Sequence, residues 1–123
     1  MTLLSYLRAD LTRLMKRRDR VALNAVRSAI GAIENAEVTY VTEPATVGAA
    51  SDFIAGAVRF GCAERIVREL SDAEMIALAT AEVTRRLDEA DRLRGHGRVD
   101  AALTLKAEAL ALQDRLDSYS ATA

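Results

Sequence analysis

Residues 70–97, LSDAEMIALATAEVTRRLDEADRLRGHG, contain the beginning and the end of one long helix. Ser71-Asp72-Ala73-Glu74 is a capping box, in which the serine hydroxyl and the glutamate carboxylate satisfy exposed backbone N–H groups reciprocally. Gly95-His96-Gly97 supplies the left-handed residue that ends such a helix. The sequence therefore predicts a helix from Glu74 to Arg94, with its start and its stop both marked.

Three more helices are predicted because apolar residues recur at intervals of three and four, the spacing that lines one helix face. They run from Leu3 to Arg18, from an Asp19 cap to about Ala36, and from Val99 to about Ser118. The turns that join the first helix to the second and the third to the fourth are too short for anything but antiparallel neighbours. The predicted fold class is all-α, with two antiparallel helical hairpins that form a four-helix bundle.

The same apolar spacing also predicts which individual side chains are buried, exposed or paired. Glu82 and Arg86 lie four residues apart and are predicted to pair on a solvated face of the third helix. Leu87 and Leu103 fall on the apolar stripes and are predicted to face inward. Arg27 is predicted to pack partly against the second hairpin and to pair with a carboxylate there.

The chain has 123 residues, which corresponds to one domain, 1–123. Residues 37–69 are predicted as a long irregular insertion between the second and third helices, because they hold the only proline and three of the six glycines. Val38 to Val41 fits a short extended piece. Phe53 to Cys62 is apolar without a clean period, so it is expected to pack on the bundle or to bind a partner.

Composition excludes several classes of protein. The net charge of −1 and the single cysteine fit neither a strongly basic nucleic-acid binder nor a disulfide scaffold. No stretch approaches the roughly 18 apolar residues of a membrane span, and the N-terminus lacks the pattern of a signal peptide. The expected location is the cytoplasm, with no membrane partner.

The residues offer little to catalysis. His96 is the only histidine and lies between two glycines, where an exposed turn residue is expected. Cys62 lies in an apolar segment, where a buried and inert thiol is expected. One histidine and one cysteine cannot build a closed zinc site, and no phosphate-binding glycine loop follows a strand. We therefore expect no catalytic residue, no metal and no cofactor.

Charge is distributed unevenly along the chain. Residues 1–36 carry seven basic and three acidic side chains, a net +4, which leaves −5 for the rest. The cations concentrate where the first helix ends, at Lys16, Arg17, Arg18 and Arg20. Such a cluster complements the helix dipole and keeps a turn soluble, or it contacts phosphates of a structured RNA. The candidate nucleic-acid contacts are Arg13, Lys16, Arg17, Arg20 and Arg98.

The sequence resembles the YqeY-like family, whose members are small helical proteins similar to the tail region of the B subunit of glutamine-dependent aspartyl/glutamyl-tRNA amidotransferase. The order and spacing of several short pieces carry this resemblance: Leu7, Leu11, Met15-Lys16, Arg18-Asp19, Leu23, Val26-Arg27, Ile33, Asn35, Glu37, 70–75, Glu82, Arg85-Arg86, Gly97-Arg98, Asp100, Glu108 and Leu112.

The resemblance implies an all-helical fold and a link to tRNA-dependent amidation, with tRNA or a tRNA-amidating complex as partner. It supplies no catalytic residue to this chain. Longer relatives continue after the fourth helix into a small tail domain, the part associated with tRNA in the amidotransferase. Here that position is Arg115-Leu116-Asp117, shortly before residue 123, so the chain resembles a short form without that domain.

Three functions remain open from the sequence. The first is a noncatalytic binding module for tRNA or a tRNA-amidating complex. The second is a protein-interaction adaptor that binds its partner through Phe53, Ile54 and Phe60, because exposed apolar patches mark interfaces. The third is an accessory to a carbon–nitrogen ligase that uses glutamine as the amide donor, which only the family resemblance suggests.

Overall fold

A computed structural model of the chain describes residues 1–42 and 63–122, with side chains for residues 1–38 and 67–122. The described elements, in chain order, are α1 (Leu3–Arg17), α2 (Arg20–Glu37), β1 (Val38–Thr42), β2 (Ala63–Val67), α3 (Asp72–Gly95) and α4 (Val99–Thr122). The chain divides into two compact units. The first comprises Met1–Glu34 and Leu70–Ala123, and the second comprises Asn35–Glu69.

Each helix start that the sequence predicts from a cap is confirmed. At α2, the Asp19 carboxylate accepts a hydrogen bond from the backbone N–H of Ala22 at 3.2 Å. At α3, the Glu74 N–H donates to the Ser71 hydroxyl at 3.1 Å, and the Ser71 N–H donates to the Glu74 carboxylate at 3.2 Å. These bonds satisfy backbone donors that a helix leaves without intrahelical partners, which fixes where each helix begins.

The stop between α3 and α4 also has the predicted geometry. Gly97 adopts a left-handed φ of 78°. Its N–H donates to the carbonyl of Arg94 at 3.0 Å, and the next N–H, of Arg98, donates to the carbonyl of Leu93 at 2.9 Å. This pair of bonds is a Schellman motif, which ends the helix and turns the chain toward α4.

The first unit is all-helical and has one apolar core. The largest fully buried side chains are those of Leu3, Leu7, Leu14, Ile33, Leu112 and Val26. Helices α3 and α4 pack against each other along much of their length, and α1 contacts both of them. The predicted all-α class is confirmed for this unit, and its packing fits a helical bundle. The arrangement as two antiparallel hairpins stays a prediction.

The second unit contains an antiparallel pair of strands. Val38 of β1 pairs with Val67 of β2, and Thr42 pairs with Ala63. The N–H of Arg68 donates to the carbonyl of Glu37 at 2.5 Å, beyond the last strand pair. The extended piece predicted at Val38–Val41 lies within β1, whereas β2 was predicted as irregular. Local patterns missed β2 because its partner strand is distant in sequence.

Several predicted side-chain positions are wrong. Glu82 is buried and the Arg86 side chain is only 12% exposed, so this pair lies inside the unit rather than on a solvated face. Leu87 and Leu103 are exposed instead of facing inward. Arg27 is also exposed and, within the described chain, has no carboxylate in ion-pair range. In each helix the neighbouring helices cover only part of the apolar stripe. Residues at the edge of a stripe, such as Leu87 and Leu103, therefore stay exposed.

Candidate functional site

Four cations surround the turn between α1 and α2, and we call them the basic turn: Lys16, Arg17, Arg18 and Arg20. All four are exposed. Among the residues that the structure describes, none has a carboxylate within ion-pair distance. The nearest acid in sequence, Asp19, is engaged as the cap of α2. The basic turn therefore presents positive charge that no ion pair among the described residues offsets.

Arg18 occupies a backbone position that favours glycine. Its φ is 57°. Its N–H donates to the carbonyl of Met15 at 3.3 Å, and the N–H of Asp19 donates to the carbonyl of Leu14 at 3.2 Å, which is again a Schellman motif. A side chain in this left-handed region costs roughly 1–2 kcal/mol. The chain thus carries a fourth cation at a site where glycine is more stable.

A groove of about 260 Å³ lies between α1 and α4 and adjoins the basic turn through Arg17. We call it the α1–α4 groove, and the residues that line it are Tyr6, Asp10, Arg13, Leu14, Arg17, Asp114, Arg115 and Ser118. Two of the five predicted nucleic-acid contacts, Arg13 and Arg17, therefore come together on one helix face. Their separation of four residues places both on the side of α1 that faces the groove.

A buried carboxylate anchors two arginines of this groove. Asp10 is 8% exposed, and its two oxygens contact Arg115 Nε at 2.6 Å and Arg13 Nη2 at 3.1 Å. Arg115 also donates to the carbonyl of Ala111 at 2.9 Å, which fixes its guanidinium from the other side. Charge-assisted hydrogen bonds of this kind hold side chains in one orientation. Sequence analysis missed Asp10 and Arg115 as parts of the site.

One residue that lines the groove, Tyr6, belongs to a pair of tyrosines. The rings of Tyr6 and Tyr119 lie with centroids 5.2 Å apart. The Tyr119 hydroxyl lies 2.6 Å from Asp72 Oδ2 and donates to it, while Asp72 Oδ1 accepts from the N–H of Leu3 at 2.8 Å. The hydrogen bond to Asp72, aided by burial, raises the pKa of Tyr119 to about 12. This cluster ties the beginning of α1 to α3 and α4.

The remaining predicted site residues are not gathered here. Arg98 is exposed at the other interhelical turn, just before α4, and no described contact joins it to the basic turn. His96 is exposed in that same turn, as predicted. Phe53, Ile54 and Phe60, with the thiol of Cys62, lie outside the described residues.

Two further findings on the described residues concern metal binding and membrane spans. In the described parts of the chain, no three histidine, cysteine, aspartate or glutamate side chains are grouped so as to hold a metal ion. No helix of the described chain is both long and apolar enough to cross a membrane.

Comparison of the chain with known protein families, with curated proteins and with solved structures found no match.

Proposed function

We propose that this protein is a noncatalytic binding module for the phosphate backbone of a structured RNA, with tRNA as the RNA class, and that the basic turn makes the contacts. The observation that carries the proposal is the set of four exposed cations for which the described part of the chain supplies no carboxylate partner. Binding to phosphates needs positioned cations and releases counterions from the nucleic acid. It needs no nucleophile, base or metal.

Three other surface arginines differ from those of the basic turn because each has a carboxylate partner. Arg8 pairs with Glu34 at 2.5 Å, and Arg92 and Arg94 each pair with a carboxylate three residues earlier on α3. A cation that already has an acidic neighbour attracts phosphate less strongly, because the two local charges offset each other. The four cations of the basic turn lie close together in sequence and form no ion pair among the described residues, so they attract a polyanion more strongly than these three paired arginines.

The α1–α4 groove extends this surface. Arg17 offers a guanidinium group along its wall, and Arg13 adds a second one that Asp10 orients, although Asp10 partly offsets its charge. Asp114 and Ser118 line the same groove and supply acceptors for a ribose 2′-hydroxyl. Because the 2′-hydroxyl distinguishes RNA from DNA, we propose that a backbone segment lies across the turn and along the groove.

The resemblance to the YqeY-like family supports tRNA as the RNA class, and the link to tRNA amidation is part of the same proposal.

The arrangement of the helices is proposed as well: α1 with α2, and α3 with α4, form two antiparallel hairpins. Two interhelical ion pairs support this arrangement, Arg8 with Glu34 and Arg86 with Glu108. Two alternative functions stay predictions. One is an adaptor that binds a protein through Phe53, Ile54 and Phe60, and the other is an accessory to a carbon–nitrogen ligase.

Charge reversal in the basic turn is expected to weaken tRNA binding strongly. In the variant Lys16→Glu/Arg17→Glu/Arg20→Glu, each lost phosphate contact removes roughly 0.7 to 0.9 from the slope of log K against log salt. The slope should therefore flatten by about 2 to 3, with a loss of affinity of at least about 100-fold at low salt. Fluorescence anisotropy with labelled tRNA over a salt series measures both quantities.

A matched control is the variant Arg8→Glu/Arg92→Glu/Arg94→Glu, which changes the net charge by the same amount at exposed, carboxylate-paired arginines. It should retain a wild-type salt slope. Equal losses in the two triple variants would show that net charge alone governs binding and would reject the basic turn as the interface.

Arg18→Gly separates binding from stability. Glycine relieves the left-handed φ of 57° at this position, so the variant should be more stable by about 0.5–1 kcal/mol. It also removes a cation, so tRNA affinity should fall by roughly 3- to 10-fold. Urea denaturation and anisotropy measure the two effects. Undiminished affinity in this more stable protein would exclude Arg18 from the interface.

A further inference from the structure

Helix α4 has an apolar stripe that faces away from the core. Val99, Leu103 and Leu110 are 50%, 59% and 52% exposed, although all three are large aliphatic residues. Their spacing of four and seven residues places them on one side of the helix. The buried residues of α4, such as Leu112 and Leu116, lie on another side. The helix is thus apolar on two faces, and only one of them is covered within the described chain.

A groove between α3 and α4 adjoins this stripe, and we call it the α3–α4 groove. It measures about 260 Å³, and Leu87, Ala90, Val99, Ala102 and Leu103 form its apolar part, with Asp91, Arg94 and Lys106 as its polar part. Apolar concavities of this size, bordered by a few charges, are typical of sites that receive a side chain of a partner helix.

The charges beside the groove have both signs. Asp91 pairs with Arg94 at 3.0 Å, but both side chains are about 70% exposed, so the pair is weak and can exchange partners. Lys106 has no carboxylate in ion-pair range among the described residues. One surface therefore offers an unpaired cation, an exchangeable anion, a protruding leucine and a recess.

We propose that the α3–α4 groove is the interface of a homodimer, in which Leu103 of each copy enters the groove of the other and Lys106 faces Asp91 of the second copy. A two-fold interface uses the same patch twice, so the patch must complement itself in shape and in charge. This patch combines an exposed leucine with a recess, and it carries both an acid, Asp91, and a cation, Lys106. A polyanion such as RNA fits it poorly, because the exposed area is largely aliphatic.

The oligomeric state tests the proposal directly. Sedimentation equilibrium of the wild-type chain over a range of concentrations should show a mass that rises from 13.3 kDa toward twice that value. Leu103→Glu should remain monomeric at every concentration. Met15→Glu is the matched control, because Met15 is exposed to a similar degree on α1, and it should dimerise like the wild type. Circular dichroism verifies that each variant is folded.

A charge exchange tests the register of the two copies. Asp91→Lys places two lysines opposite each other, and Lys106→Asp places two aspartates opposite each other, so each variant alone should dimerise at least about 10-fold more weakly. An equimolar mixture restores both opposite-charge pairs and should recover wild-type affinity. A wild-type protein that stays monomeric at millimolar concentration, or a mixture that fails to recover, would overturn the proposal; the first result would leave the groove to a different partner.

Discussion

Arg86→Met is expected to lower the free energy of unfolding by about 3–5 kcal/mol, the usual cost of leaving a buried charge without its partner. Arg86 Nε donates to Glu108 at 3.1 Å and Nη2 donates to Ser28 at 2.8 Å, which joins α3 to α4 and to α2. Glu82 lies on the other side, 3.8 Å from Nη1. Without the guanidinium, buried Glu108 has no cation in ion-pair range among the described residues, and Glu82 keeps only the exposed Arg85.

Urea denaturation followed by circular dichroism measures this effect. Arg85→Met is the matched control on the neighbouring residue, because Arg85 contacts the same Glu82 but is 72% exposed, and it should cost less than about 1 kcal/mol. The triple variant Glu82→Met/Arg86→Met/Glu108→Met should be more stable than Arg86→Met alone, since apolar residues can replace a whole buried network. An Arg86→Met protein within 1 kcal/mol of the wild type would mean that the network does not bind the helices together.

The second large effect is a loss of stability in alkali that depends on Tyr119. The pKa of this phenol is about 12 in the folded chain against 10.0 normally, because its hydrogen bond to Asp72 favours the protonated form. Between pH 10 and 12 the native state therefore holds a proton that the unfolded chain has lost. The stabilisation is complete below pH 10 and disappears as the pH rises through 12.

Denaturation midpoints measured from pH 9 to pH 12 test this prediction. The wild-type midpoint should fall steeply in that range, and Tyr119→Phe should remove most of the slope. Tyr6→Phe is the matched control, because its ring lies beside that of Tyr119 but the bond to Asp72 remains. Identical slopes for Tyr119→Phe and the wild type would contradict the role assigned to this hydrogen bond.

The helix limits marked by a cap or a glycine stop were predictable because each depends on a few adjacent residues, whereas the end of α4, predicted at about Ser118, lies at Thr122. Asp19, Ser71 with Glu74, and Gly97 act within one turn of their own helix, so their effect is readable from the local sequence. The left-handed conformation of Arg18 was not predictable in this way. Such a conformation favours glycine, and the sequence has an arginine at this position.

The buried charges could have been inferred from the same pattern that located the helices. Leu3, Leu7, Asp10 and Leu14 follow a spacing of four, three and four, so Asp10 stands at a core position. Met75, Ala79, Glu82 and Arg86 repeat that spacing in α3.

The partners of these buried charges depend on how separate helices meet. Arg115, which binds Asp10, is 105 residues away in the chain, and one sequence offers no signal for that pairing. The same limit applies to the α3–α4 groove. The stripe on α4 was evident, but which side of it the other helices leave uncovered was not.

Amide chemical shifts recorded while tRNA is added at low salt test the central claim most directly. The account predicts that the largest changes fall on residues 13–20 and on the adjoining residues 114–118, that they disappear as salt is raised, and that residues 87–106 change little. Changes concentrated in the α3–α4 groove, or no changes at any salt concentration, would contradict the claim that the basic turn binds an RNA backbone.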